Sequence, residues 1–251
     1  MVSWSQKRKL MYATIASAFL IGIIGLPLFY FFYKAPTCFD SKRNGGEQGI
    51  DCGGRCSRLC QSDFLPPNVV WARQEKITSE YYNVAAYIIN PNTQGQADNV
   101  PYSMALFDKD GAFITEIKGM ITLPPHRNIL AFQNAVKVGN KIPSRALFEF
   151  TALPNWYKKA DPLSNLSVVS KDYSEDSTGS SLLVTFKNNG LQSLNKVNVY
   201  VVLYDKSGNA IGFSKTIIDE ILSNGTATAP FTWNINRQDR VISIEVLYMT
   251  E

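Results

Sequence analysis

The sequence predicts an all-β chain: two antiparallel β-sandwiches in tandem, behind a single N-terminal transmembrane helix. Three observations predict it. The stretch Leu10–Tyr33, LMYATIASAFLIGIIGLPLFYFFY, carries no charged residue. From about Asn68 onward, apolar and polar side chains alternate at period two between turn residues, and no helical period is sustained. Finally, that region repeats itself at a nearly constant offset. Composition agrees: 251 residues with 45% hydrophobic and 18% charged content fold, and are too polar for a multi-pass membrane protein.

The apolar segment, residues 10–33, is long enough to cross the ~30 Å hydrocarbon core as one helix. Tyr12 stands near one end and Phe29, Tyr30, Phe31, Phe32 and Tyr33 crowd the other, where an aromatic belt lies. Pro27 falls in the outer part, a position that bilayer-spanning helices tolerate. A cleaved signal peptide has a shorter apolar region followed by a small-residue cleavage site, whereas Phe-Phe-Tyr-Lys follows this one. Ala35-Pro36-Thr37-Cys38 likewise lacks the residues that precede an acylated cysteine. The segment therefore reads as an uncleaved signal anchor. Lys7, Arg8 and Lys9 precede it with no offsetting acid, so residues 1–9 are expected in the cytoplasm and everything after Tyr33 outside it.

All four cysteines, Cys38, Cys52, Cys56 and Cys60, fall within the next segment, residues 34–67. An even number of close cysteines in an exported stretch points to disulfides, of which the spacing admits three pairings. Glycines at 45, 46, 49, 53 and 54 leave almost no core, so cross-links would replace one. A zinc site is the competing reading, but Cys52-x3-Cys56-x3-Cys60 with a distant Cys38 fits paired zinc spacing loosely.

The string from Cys38 through Asp40, Asn44, Glu47 and Asp51 to Cys52-Gly53-Gly54-Arg55-Cys56 resembles a short motif of exported surface proteins, C-x-D-G-x-x-N-x-x-E-x-x-x-D-C-G-G-x-C. Ser41 stands where the motif has glycine. The resemblance implies an extracytoplasmic, disulfide-stapled stalk and supplies no activity. Asp40, Asn44, Glu47 and Asp51 could gather around calcium, but Lys42 breaks the pattern of a helix-loop-helix calcium loop, and turn formation explains them more simply.

Residues 68–152 and 165–251 form the two sandwiches, joined by a turn-rich linker at 153–164. Asn99–Gly111 lies over Lys196–Gly208, and around that block Val70 is matched to Val168, Asn90 to Asn188, Phe132 to Phe231 and Leu147 to Ile244. Val197, Val199, Val201 and Leu203 alternate with Asn198, Tyr200, Val202 and Tyr204, which predicts a strand with one face in the core. Val100, Tyr102, Met104 and Leu106 do the same in the first copy. Asp108–Gly111 and Asp205–Gly208 predict hairpin turns leading into strands at 112–118 and 209–218. Loops follow at Leu123–Asn128 and Leu222–Gly225, and closing strands at 146–151 and 241–248. Trp156 and Tyr157, in the linker, are expected to pack the two sandwiches together.

Each copy resembles the FxLYD and water-stress type of immunoglobulin-like module. The residues that carry this are Asn90-Pro91-Asn92, Leu106-Phe107-Asp108, Leu203-Tyr204-Asp205, Leu130-Ala131-Phe132 and Ala229-Pro230-Phe231, with Met104 and Val201 where the family has its first phenylalanine. The resemblance implies an immunoglobulin-like sandwich in each copy and a non-catalytic role at the cell envelope.

Chemistry is sparse. The single histidine, His126, sits among Pro124, Pro125 and Arg127 in a predicted loop and reads as solvated rather than as a catalytic base. Asp172, Glu175 and Asp176 form an acid cluster on a predicted hairpin loop and read as solvating charges. Asp108, Asp110 and Asp205 could touch calcium but are accounted for by the hairpin turns. No phosphate loop, His-Glu-x-x-His or Gly-x-Ser-x-Gly occurs, and a net charge of +4 is too mild to suggest a nucleic-acid partner. Trp71, Tyr81, Tyr82, Trp156 and Tyr157 could form a binding patch, though scattered aromatics are ordinary. Two glycosylation sequons, at Asn165 and Asn224, bear on the protein only in a eukaryotic secretory pathway. The expectation is a single-pass cell-membrane protein, N-terminus in the cytoplasm, with no enzymatic activity, cofactor or metal. It would bind or scaffold a protein or cell-surface component. The alternative is an accessory subunit of a membrane-embedded secretion, pilus or transport complex, whose helix packs through Gly22 and Gly25.

Overall fold

The computed structural model describes residues 3–177, 179–233 and 241–250; Met1, Val2 and Glu251, which bound the predicted first and last segments, lie outside the described residues. The chain forms two compact units, Met1–Cys56 and Ser57–Glu251, so the division falls inside the segment read as a stalk.

In the first unit, helix α1 spans Trp4–Phe32. It starts ahead of the apolar run because Ser3 and Gln6 form a capping box: the Ser3 hydroxyl accepts from the Gln6 amide at 3.4 Å and the Gln6 side chain accepts from the Ser3 amide at 3.1 Å. Lys7, Arg8 and Lys9 are thereby helical. No side chain of α1 is buried and Pro27 sits inside it without ending it. The helix is long and apolar enough to cross a membrane.

The second unit holds the strands. The first sandwich comprises β1 (Asn68–Lys76), β2 (Tyr81–Ile89), β3 (Gly95–Phe107), β4 (Phe113–Leu123), β5 (Asn128–Lys137) and β6 (Arg145–Phe150). The short β7 (Tyr157–Lys158) lies in the predicted linker. The second sandwich comprises β8 (Leu166–Asp176), β9 (Gly179–Asn188), β10 (Leu194–Tyr204), β11 (Ala210–Ile221), β12 (Thr226–Trp233) and β13 (Ser243–Thr250). Strand order is β1-β2-β5 facing β4-β3-β6 in the first, and β8-β9-β12 facing β11-β10-β13 in the second. The immunoglobulin-like antiparallel sandwich read from the sequence is thus present twice.

The two backbones match in detail. Each first strand bulges at one residue, Val70 and Val169, which the pairing skips. Left-handed residues recur at matched places: Asn99 and Lys196, Gly111 and Gly208, His126 and Asn224. The pairing register corrects three of the sequence matches by one residue. Val69 lies opposite Ile88 as Val168 lies opposite Phe186, so Val69, not Val70, answers Val168. Phe231 lies opposite Leu182 and faces the core, whereas its counterpart opposite Val84 is Gln133. Leu147 lies opposite Ala105 and answers Glu245, opposite Val202; Ala146 answers Ile244. A one-residue slip in a strand exchanges its faces, so Phe231 points into the core of its sandwich while Phe132, opposite Ala85, points out of its own.

Phe132 instead faces the other sandwich. The outward side of β11-β10-β13 packs on the outward side of β1-β2-β5, and Tyr200, Val202, Ala210, Phe213, Leu247 and Met249 join the core cluster of the first sandwich. Phe213 is 1% exposed; its ring lies 6.3 Å from Trp71 and 6.2 Å, edge-on, from Phe132. Polar ties fix the rotation. Arg73 donates to the Ala210 carbonyl at 3.2 Å and to Asn209 Oδ1 at 3.1 Å, and the Phe213 amide donates to Glu75 at 3.2 Å. Arg127 binds Asp161 at 2.6 Å and the Leu163 carbonyl at 3.0 Å while covering the Tyr248 ring, which pins the linker. Strand β10 is consequently buried on both faces from Val197 to Leu203, where alternation had predicted one.

Glu245 sits within this interface and accepts from Tyr87 Oη at 2.7 Å and Tyr204 Oη at 2.9 Å, one tyrosine from each sandwich. Burial, then the Glu245 carboxylate, raises both phenol pKa values above the ordinary range. A raised folded-state pKa stabilises the protein fully below the unfolded value near pH 10, and that stabilisation is lost as pH rises beyond it. Alkaline titration should therefore loosen the two sandwiches above about pH 10. The double variant Tyr87→Phe, Tyr204→Phe should flatten the alkaline limb in a denaturation series from pH 8 to 11.

Candidate functional site

Among the described residues, three places gather chemistry-bearing side chains. The first is the cysteine-rich loop. Cys38 and Cys56 form a disulfide, and Cys52 and Cys60 are disulfide-bonded as well. The motif's acids bind backbone. Asp51 accepts from the amides of Asp40 at 3.0 Å and Ser41 at 3.1 Å. Asp40 accepts from the Lys42 amide at 3.0 Å and from Asn44 Nδ2 at 2.9 Å. Glu47 accepts from the amides of Asn44 at 3.4 Å and Asp51 at 3.2 Å. The Asn44 amide, first among several hydrogen bonds, holds the Asp40 carboxyl below the usual carboxylate range. These oxygens close the turns of a segment without a core, as the turn-forming reading expected. Cys38, Glu47 and Cys56 also lie close enough together to hold a metal. Both sulfurs, however, are spent on one disulfide and are not thiolates, the form that binds zinc.

The paired glycines have a backbone reason. Gly53 and Gly54 both have positive φ, and a Cβ on Gly54 would stand 2.1 Å from the Gly46 carbonyl oxygen. Ser41, the departure from the motif, has φ +59°, a conformation that costs a side-chain-bearing residue roughly 1 kcal/mol. Ser41→Gly should stabilise the loop by about that amount, making the Cys38–Cys56 bond about fivefold harder to reduce with dithiothreitol in a thiol-trapping titration.

The second place is the pair of hairpin turns. Asp108 accepts from the amides of Asp110 at 2.9 Å and Ala112 at 2.8 Å, and Asp205 from those of Ser207 at 2.8 Å and Asn209 at 2.9 Å. Here too the carboxylates do backbone work. His126 is an exposed turn residue whose amide donates to the Asn92 carbonyl at 3.0 Å. The sequon residues Asn165 and Asn224 are exposed.

The third comprises two hollows. A cleft of about 570 Å³ opens between Arg58–Pro67 and Phe150–Trp156, walled by Leu59, Phe64, Pro67, Phe150, Leu153 and Trp156. Trp156 is 2% exposed and lies 5.5 Å from Phe64; its indole N–H has no hydrogen-bond partner among the described residues. The Leu59 amide donates to the Trp156 carbonyl, and Tyr157 pairs with Gln96 through β7. Both aromatics therefore fasten residues 57–66 to the first sandwich, which corrects their expected role in joining the sandwiches. That role belongs to Trp71, Tyr87, Phe132, Tyr204 and Phe213, of which only Trp71 stood among the aromatics expected to form a patch, because the role is set by outward strand faces far from the linker. The other hollow, about 460 Å³, is polar and lined by Ser174, Glu175, Asp176, Ser180, Ser181 and Trp233. It brings Glu175 and Asp176 together and leaves Asp172 outside, bonded to Ser170 at 2.9 Å. The acid cluster thus lies on strand β8, not on a loop.

No family model matches the chain, and no curated protein matches it. Among solved structures, red sea bream transglutaminase aligns with a TM-score of 0.25 and 10% identity over 74% of this chain. The chain spans 29% of that protein's length, and a likeness of this degree transfers neither fold nor activity.

Proposed function

We propose that this is a single-pass envelope protein of the cell membrane, N-terminus in the cytoplasm, whose two immunoglobulin-like sandwiches bind or scaffold a protein or cell-surface component outside it without catalysis. The docking of the sandwiches through Phe213, Trp71 and the Glu245 clamp carries the reading: a buried joint makes two modules one stiff unit, which suits holding a partner at a set position. The exposed apolar α1 and the oxidised cysteines beyond it support the exported orientation. The matched bulges and left-handed turns support an internal duplication of an FxLYD-type module.

The test is crosslinking of intact cells followed by capture through a C-terminal tag. Protease added outside should remove the tag from intact cells, and captured material should contain surface components or exported proteins. A tag protected from outside protease would overturn the orientation. A stoichiometric membrane complex whose function is lost when α1 is replaced by an unrelated anchor would favour an accessory subunit instead.

A further inference from the structure

On the loop closed by Cys38–Cys56 the acids are half-buried and hydrogen-bonded to the backbone, and the bases are exposed. Asp40, Glu47 and Asp51 are held on backbone amides, whereas Lys42, Arg43 and Arg55, and Lys34 just before the loop, are all exposed. On the same loop Phe39 is 85% exposed and Ile50 61% exposed. Each directly precedes one partner of the Asp40–Asp51 hydrogen bond, so the backbone segments that bear them are tied together. An isolated exposed phenylalanine is ordinary. Two large apolar side chains on a cross-linked loop, with four exposed cations on or just before it and its three carboxylates engaged by backbone amides, suit an anionic, partly apolar surface.

The chain supplies such a surface. Helix α1 ends at Phe32 and Phe39 follows seven residues later, a reach of at most about 25 Å even when fully extended. We propose that the loop rests on the outer face of the bilayer that α1 crosses, with Phe39 and Ile50 among the headgroups and Lys34, Lys42, Arg43 and Arg55 against lipid phosphates. Cations near an anionic bilayer surface are attracted individually, so the binding is strongest where the leaflet carries anionic lipid. This inference rests on the reading of α1 as a membrane anchor.

The test uses the full-length protein in nanodiscs of phosphatidylcholine, with or without phosphatidylglycerol, and p-benzoylphenylalanine placed singly at Leu20, Phe39 or Leu191. Leu191 is 90% exposed on the second sandwich and serves as the reference. Peptide mapping without reductant verifies the Cys38–Cys56 bond in each protein. After irradiation, lipid adducts are expected at Leu20 in both discs and at Phe39 several-fold above Leu191, rising further with phosphatidylglycerol. Lys42→Gln with Arg43→Gln should abolish that rise. Adducts at Leu20 with none above reference at Phe39 would overturn this inference and leave the anchor standing. No adducts at Leu20 would overturn both, and protein rather than lipid adducts at Phe39 would show a protein covering the loop.

Discussion

Phe213→Ala should be among the most damaging single substitutions in the second unit, lowering stability by about 3–5 kcal/mol. Phe213 is 1% exposed, between Trp71 and Phe132, and its amide is held by Glu75. The cavity would open between two sandwiches that each retain their own core, so the loss should appear as uncoupling. Calorimetry should then show the second sandwich unfolding separately from the first. The matched position in the first sandwich is an internal control. Glu116 lies opposite Ala105 as Phe213 lies opposite Val202, but it faces solvent and pairs with Lys118. Glu116→Ala should change stability by less than about 1 kcal/mol. Equal losses at the two positions would show that the joint is not what Phe213 stabilises.

Asn188→Leu should cost about 3 kcal/mol or more for a different reason. Asn188 is 1% exposed, and its amide donates to the carbonyls of Gln192, Ile221 and Leu222 while its Oδ1 accepts from the Gly190 amide. Asn90 repeats the device, donating to the Gly95 and Pro124 carbonyls and accepting from the Asn92 amide. Each asparagine ties the end of one sheet to loops from the other, and leucine of similar size would strand several buried polar groups. Chemical denaturation of Asn90→Leu and Asn188→Leu should show comparable losses. Asn188→Asp should be no better than leucine, since a carboxylate cannot donate to carbonyls.

The repeated asparagines were legible as a pattern, although their task was not. Matching Asn90 with Asn188 needs only spacing, whereas naming their partners needs two loops more than thirty residues away. The hairpin turns were legible because aspartate and glycine act within four residues: Gly111 and Gly208 have φ of +80° and +75° where sequence placed them. The docking face leaves a trace in the sequence. Ser103, Ala105, Glu116 and Glu149 in the first sandwich correspond to Tyr200, Val202, Phe213 and Leu247 in the second. That exchange of small or charged residues for large apolar or aromatic ones marks the second copy's outward face as covered, and it depends on the correct register.

Local chemistry was enough to specify the membrane-crossing length of α1, the antiparallel sandwiches and their hairpins, because each depends on residues within a turn or on a periodicity within one strand. Folding in three dimensions was needed to settle three other matters: the one-residue register at the sheet edges, the placement of Trp156 against residues 57–66, and the joint centred on Phe213 and Glu245. Period-two alternation distinguishes the two faces of a strand but carries no information about what lies beyond the outward one. That covering surface is contributed by strands more than a hundred residues away, and its burial is a property of the assembled pair.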